Sequence, residues 1–135
     1  MLRKDEVATT MLRLFLGTTF LIHGLAKFQG GIENTVGFFE SLGLPGFSAY
    51  LVALIELIGG IAMVLGVGTR IISILFVIIL AVAIVKVKLA AGFLGNGQMA
   101  GYELDLALMA ISIYLATTKH SFFALDNVLF RTEKA

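Results

Sequence analysis

Residues 71–85 read IISILFVIILAVAIV. They contain no charge and a single hydroxyl, Ser73, so this stretch has no polar face to turn toward water. A surface helix shows such a face, and a helix apolar all round is buried in a large core or in a membrane. Working outward, Arg70 and Thr69 close it on one side and Lys86 and Lys88 on the other. Crossing the hydrocarbon layer takes about 20 predominantly apolar residues. Three further segments qualify, so the spans expected are 7–27, 49–66, 71–87 and 102–118. The first and last are interrupted by ionisable residues, which blurs their ends. Gly66-Val67-Gly68-Thr69-Arg70 reads as a tight turn between spans two and three, its glycines permitting the dihedrals a short helix–helix connection needs.

Composition agrees. The chain has 135 residues, 59% hydrophobic and 14% charged, with 15 Gly, one Pro, no Cys, no Trp and a mean hydropathy of +0.98. A soluble domain carries about 45–50% apolar and about 25% charged residues, and a small one needs polar residues to cover its surface. Disordered chains are poor in large apolar residues, which excludes disorder. The expected fold class is therefore all-α: a single domain over 1–135, an integral membrane four-helix bundle. A net charge of +1 offers no concentrated basic face for nucleic acid. The lack of cysteine removes disulfides, thiolate nucleophiles and iron–sulfur clusters together.

The N-terminal Met-Leu-Arg-Lys-Asp-Glu mixes both signs, and no small-residue cleavage site follows, so the first span is expected to remain. Lys and Arg near the span ends set orientation. With both termini cytoplasmic, Arg3, Lys4, Arg70, Lys119, Arg131 and Lys134 lie inside and Lys27, Lys86 and Lys88 outside. A multi-pass protein of the cell membrane is expected. In the first outer loop, Ile32, Val36, Phe39 and Leu42 predict a short amphipathic helix over Ile32–Leu42 lying at the interface. Gly43 and Pro45 end it. The second outer loop, 90–101, is rich in Gly and expected to be mobile. A last short helix is expected over 121–130, with Asp126 as its cap.

Ionisable groups inside spans are costly, about 2.5–3.5 kcal/mol for a central Arg, Lys or Asp, and usually pair within the bundle. The expected topology brings His23, Lys27, Glu56, Lys86, Lys88, Glu103 and Asp105 into the outer half, from four helices, and leaves Arg13 in the inner half. Arg13, Phe20, Gly24 and Lys27 fall on one stripe of span one, and Glu56, Gly60 and Met63 share a face of span two. Gly60 beside Gly59 invites close approach of a neighbouring helix. Glu103 and Asp105 differ by about 200° on a helix. Glu103, sharing its face with Tyr114, is taken as the inward one. The ordinary readings stand beside these: Lys27, Lys86, Lys88 and Arg13 snorkelling to headgroups, Asp105 or Glu103 at a helix start, and a structural pair for Glu56. His23 and His120 fall on opposite sides and cannot share a haem. No Glu-x-x-His pair supports a di-iron site. A divalent ion on His23, Glu56 and Glu103 is conceivable, but no spacing demands one, and no metal is expected.

The chain resembles the DoxX family of small four-helix membrane proteins. The resemblance lies in Arg13-Leu-Phe-Leu-Gly17 leading to His23-Gly24-Leu-Ala-Lys27-Phe28, in Gly37-Phe-Phe-Glu-Ser-Leu-Gly-Leu-Pro45, and in Ile55-Glu56-Leu-Ile-Gly59-Gly60. Gly66-Val-Gly-Thr-Arg70, Gly101-Tyr102-Glu103 and Leu125-Asp126 complete it, in the family's order over nearly the whole chain. One departure is that Lys86 and Lys88 stand where members often place a His, which counts against a mechanism needing two outer histidines. The resemblance implies a quinone-interacting subunit of a membrane oxidoreductase system, with a protein partner, possible oligomers and no covalently bound cofactor. A quinone takes up electrons and protons, so its site combines an apolar slot with proton donors. His23, Glu56 and Glu103 are expected as hydrogen-bond donors and proton carriers. Lys27 and Arg13 would offset carboxylate charge, and Phe38 and Phe39 would close the slot. The alternatives are a non-catalytic scaffold that docks a partner and, less favoured, a small-molecule or proton pathway.

Overall fold

The computed structural model describes residues 4–118 and 124–126. The elements are α1 (Lys4–Gln29), α2 (Ile32–Ser41), α3 (Phe47–Leu65), α4 (Thr69–Ala83) and α5 (Glu103–Thr117). One π turn (Ile84–Lys88) and a 3-10 turn (Leu89–Ala91) prolong α4. Among the described residues there is no strand, only one isolated bridge between Gly95 and Ala100 in the loop before α5. Asp5 and Glu6 in the first turn of α1 and Lys27 in its last complement the helix dipole.

Three helical segments, Lys4–Gln29, Phe47–Leu65 and Thr69–Ala91, are long and apolar enough to cross a membrane. The chain is thus a multi-pass membrane protein. The expected fourth span over 102–118 is less complete. Within the described residues α5 has 15 residues, about 22 Å at the helical rise of about 1.5 Å per residue, which falls short of an apolar layer of about 30 Å. The helix expected at Ile32–Leu42 is present as α2, buries none of its residues, and is followed by Gly43 at φ +85°. The expected helix over 121–130 lies outside the described residues apart from Ala124–Asp126, as does His120.

The turn between α3 and α4 follows its sequence. Gly66 and Gly68 take left-handed conformations (φ 80° and 59°), and the Val67 amide donates back to Ala62 O at 2.8 Å, closing α3. A feature of long range completes it. The Asp126 carboxylate accepts from Gly68 N (2.7 Å), Thr69 N (3.1 Å) and Thr69 Oγ1 (3.2 Å), so it caps α4. The Asp126 amide in turn donates to Gly66 O at 2.8 Å.

The helices associate as two close pairs. In the first, α1 meets α3 backbone to backbone. A methyl group at Gly60 would stand 2.5 Å from Leu21 N and 2.8 Å from Gly17 O, and one at Gly24 would stand 2.5 Å from Leu57 N. Only glycine permits such proximity, which maximises packing where no water-driven force operates between helices. In the second, Arg70 at the start of α4 donates to Ala116 O at the end of α5 (3.1 Å), while Lys88 beyond α4 reaches Asp105 at the start of α5. These contacts make α4 and α5 antiparallel. The pairs join through Leu16, Phe20, Met63, Phe76, Leu80, Leu108 and Leu115, where the rings of Phe20 and Phe76 stack at 3.8 Å. A hydrogen bond of 2.6 Å between Thr9 Oγ1 and Tyr114 Oη links α1 to α5.

Candidate functional site

Between the two helix pairs, and roofed by α2, lies a partly open cavity of about 740 Å³. Its walls are mostly aliphatic and aromatic: Phe20 from α1, Val52 and Ile55 from α3, Ile79 and Leu80 from α4, Leu104 and Leu108 from α5. Such a size and lining are those of sites for small organic ligands, typically about 300–1,000 Å³ with a few placed polar groups.

The polar groups gather toward one end. His23, Lys27, Glu56, Lys86, Lys88 and Asp105 all line the cavity. Lys27 Nζ lies 2.7 Å from Glu56 Oε1, joining α1 to α3, and Lys88 Nζ lies 3.0 Å from Asp105 Oδ1, joining the π turn to α5. The geometry is the same in both pairs. Each carboxylate side chain is 7% exposed, whereas the lysines are 24% and 27% exposed. A buried carboxylate therefore keeps its counter-charge from a lysine that still reaches a more polar region. The π turn is what ends α4 with two lysines at the rim, and π turns inside helices recur at functional sites. His23 lies at the same rim, its ring Nδ1 2.8 Å from Thr19 O. Since a carbonyl only accepts, Nδ1 carries the proton and Nε2 is left as the acceptor of the neutral ring. Phe38 and Phe39, in edge-to-face contact at 6.4 Å, both line the α2 side.

Two of the residues expected at the site lie elsewhere. Glu103 is exposed and outside the cavity, and Asp105, 5% exposed, is the inward acid of α5. The reason is helical phase: Asp105 is in register with the buried Leu108, Ser112 and Leu115, while Tyr114, used to orient Glu103, is itself 40% exposed. Arg13 is also displaced. Though 1% exposed, it does not line the cavity but lies beside the α3–α4 turn, its Nη2 3.4 Å from Val64 O, under the electrostatic influence of Asp126. The described carboxylate that acts on it is Asp126 and not Glu56, which is held by Lys27. Among the described residues no three His, Asp or Glu side chains are placed to share a metal ion. Replacing the two acids of α5 tests this assignment. Glu103→Gln is expected to change detergent stability by no more than about 0.5 kcal/mol, as at ordinary surface sites. Asp105→Asn, which strands Lys88, is expected to cost about 2 kcal/mol. Equal effects in thermal melts would refute the inward placement of Asp105.

The DoxX family model matches residues 8–89. The chain belongs to the DoxX family. Five of the six ionisable residues of the cavity, all but Asp105, fall within the matched segment. Over 129 residues the chain is 47% identical to a Bacillus subtilis (strain 168) protein named "Putative oxidoreductase CatD", covering 96% of this chain and 92% of that one. It is 31% identical over 134 residues to a Mycobacterium tuberculosis (strain ATCC 25618 / H37Rv) protein named "Uncharacterized membrane protein Rv3486", covering 92% and 82%. No solved structure matches the chain. Sequence reasoning grouped Asp105 with the other ionisable residues but preferred Glu103 as the inward acid of the last span. The spacing of Asp105 to Leu108, Ser112 and Leu115 was the available signal.

Proposed function

We propose that this DoxX protein is a quinone-interacting subunit of an oxidoreductase system of the cell membrane. It spans the bilayer four times, with both termini cytoplasmic and the polar rim of the cavity on the outer side. The observation that carries the reading is the cavity: an apolar slot of about 740 Å³ that ends in two lysine–carboxylate pairs and a histidine. The fourth span is 102–118, built on α5, since its partner α4 already crosses the layer and the two are antiparallel. The name of the Bacillus subtilis relative points to oxidoreductase chemistry.

The residues fit a quinone. A flat apolar ring fits among Val52, Ile55, Ile79, Leu104 and Leu108, with Phe38 and Phe39 on the α2 side. A bound quinone would supply two-electron, two-proton redox chemistry. Lys27 and Lys88 donate hydrogen bonds to a carbonyl oxygen, Nε2 of His23 accepts a hydrogen bond from a ring hydroxyl, and Glu56 and Asp105 hold the lysines in place and relay protons. With no cysteine in the chain and no second histidine expected at this depth, electrons come from a partner protein or a diffusible reductant. The rival reading, a scaffold that docks a partner, rests on the same two ion pairs clasping the helix pairs.

Mass spectrometry of the lipid extract of purified protein separates the two. Wild type is expected to retain quinone near one per chain, and Glu56→Gln to lose it while melting no further below wild type than Asp105→Asn does, since each change strands one lysine. Quinone in wild type no higher than in an unrelated membrane protein would favour the scaffold.

A further inference from the structure

The charges at the rim do not balance. Three ammonium groups, Lys27, Lys86 and Lys88, line the cavity against two carboxylates, Glu56 and Asp105. Lys27 and Lys88 are each matched by one carboxylate, at 2.7 Å and 3.0 Å. Lys86 is the third. Among the described residues no carboxylate forms an ion pair with it, and Glu103 lies outside the cavity. The lysines and carboxylates of the cavity thus sum to one surplus positive charge beside an apolar slot, carried by the exposed Lys86. The cation belongs to the cavity's own wall, because the π turn Ile84–Lys88 brings Lys86, Val87 and Lys88 to the rim together.

From this surplus we infer that the cavity selects a ring ligand that binds as a monoanion: an acidic hydroxyquinone, its ring hydroxyl ionised at neutral pH, in preference to the neutral quinone of the same ring. The inference rests on the quinone reading above and specifies the ligand class for that site. Lys86 meets the ionised oxygen. Lys27 and Lys88, already neutralised, are left to donate to the uncharged carbonyls. The apolar walls hold the ring, and the complex as a whole is charge-balanced.

The test compares 2-hydroxy-1,4-naphthoquinone, anionic at neutral pH, with neutral 2-methyl-1,4-naphthoquinone. Binding is measured by equilibrium dialysis against the full chain in nanodiscs of zwitterionic lipid, with empty nanodiscs subtracted. Wild type is expected to favour the anion at least tenfold. Lys86→Gln is expected to lower that ratio about tenfold, and Lys86→Arg to retain it. Equal binding of both ligands by wild type would overturn the anion preference while leaving the quinone site in place. A ratio unchanged in Lys86→Gln would overturn the role of Lys86. Loss of the preference when phosphatidylglycerol is added would also overturn it, since a lipid headgroup would then be the partner of Lys86. Binding of neither ligand would overturn the quinone reading together with the inference.

Discussion

Gly60→Val is expected to prevent α1 and α3 from closing on each other, with a loss of about 3 kcal/mol or more, at the upper end of what overpacking costs. The new Cβ would stand 2.5 Å from Leu21 N and 2.8 Å from Gly17 O. Both are backbone atoms of a helix, so no rotamer change relieves the clash. The neighbouring Gly59 is the control. A Cβ there meets only side-chain atoms, Phe76 Cε1 at 3.1 Å and Ile72 Cγ2 at 3.3 Å, which can shift by a few tenths of an ångström. Gly59→Ala should therefore melt close to wild type in detergent, and Gly60→Val should aggregate or melt far below it. The effect reaches the cavity, because separating α1 from α3 also separates Lys27 from Glu56. Comparable melting of the two variants would contradict the backbone-to-backbone contact.

The second large effect is expected at the turn that follows α3. Asp126→Ala removes the acceptor of three hydrogen bonds at the start of α4 and the anion that acts on the buried Arg13. Hydrogen bonds to a charged group contribute about 1.5–3 kcal/mol, so a loss of about 2–3 kcal/mol is expected. Asp126→Asn, which keeps one carbonyl acceptor but no charge, should fall between. Hydrogen exchange locates the change: the Gly68 and Thr69 amides should lose protection in Asp126→Ala, while amides in the middle of α5 keep theirs. Protection at Gly68 unchanged from wild type would show that the tail does not hold the turn.

These features differ in how far the sequence announces them. The span through 71–85 is legible because fifteen residues without a charge leave few alternatives, and the Gly66–Arg70 turn because Gly66 and Gly68 supply the positive φ that it uses. The inward stripe of α1 is legible too, since Arg13, Phe20, Gly24 and Lys27 recur at helical spacing and the first three are buried. The phase of α5 is not legible in the same way. Leucine, isoleucine and methionine occur on nearly every side of it, so the inward face must be decided by a few polar residues, and Tyr114 misdirects because its hydroxyl reaches Thr9 from a half-exposed position. Arg13 misdirects for another reason. It lies at the α3–α4 turn, where Asp126, more than a hundred residues away, acts on it electrostatically, and no local pattern announces that. The cavity arises from the way two helix pairs meet, with lining residues from all five helices, which spacing within one helix cannot show.

In the function proposed above, a quinone occupies the cavity between the helix pairs. Photolabelling tests it most directly, using an azido-naphthoquinone in nanodiscs and mapping the labelled residues by mass spectrometry. The account predicts labels at Val52, Ile55, Leu104 and Leu108, suppressed by excess unlabelled quinone. Labels spread over exposed faces such as Ile61, Ile71 and Ile74, and unaffected by competitor, would contradict it.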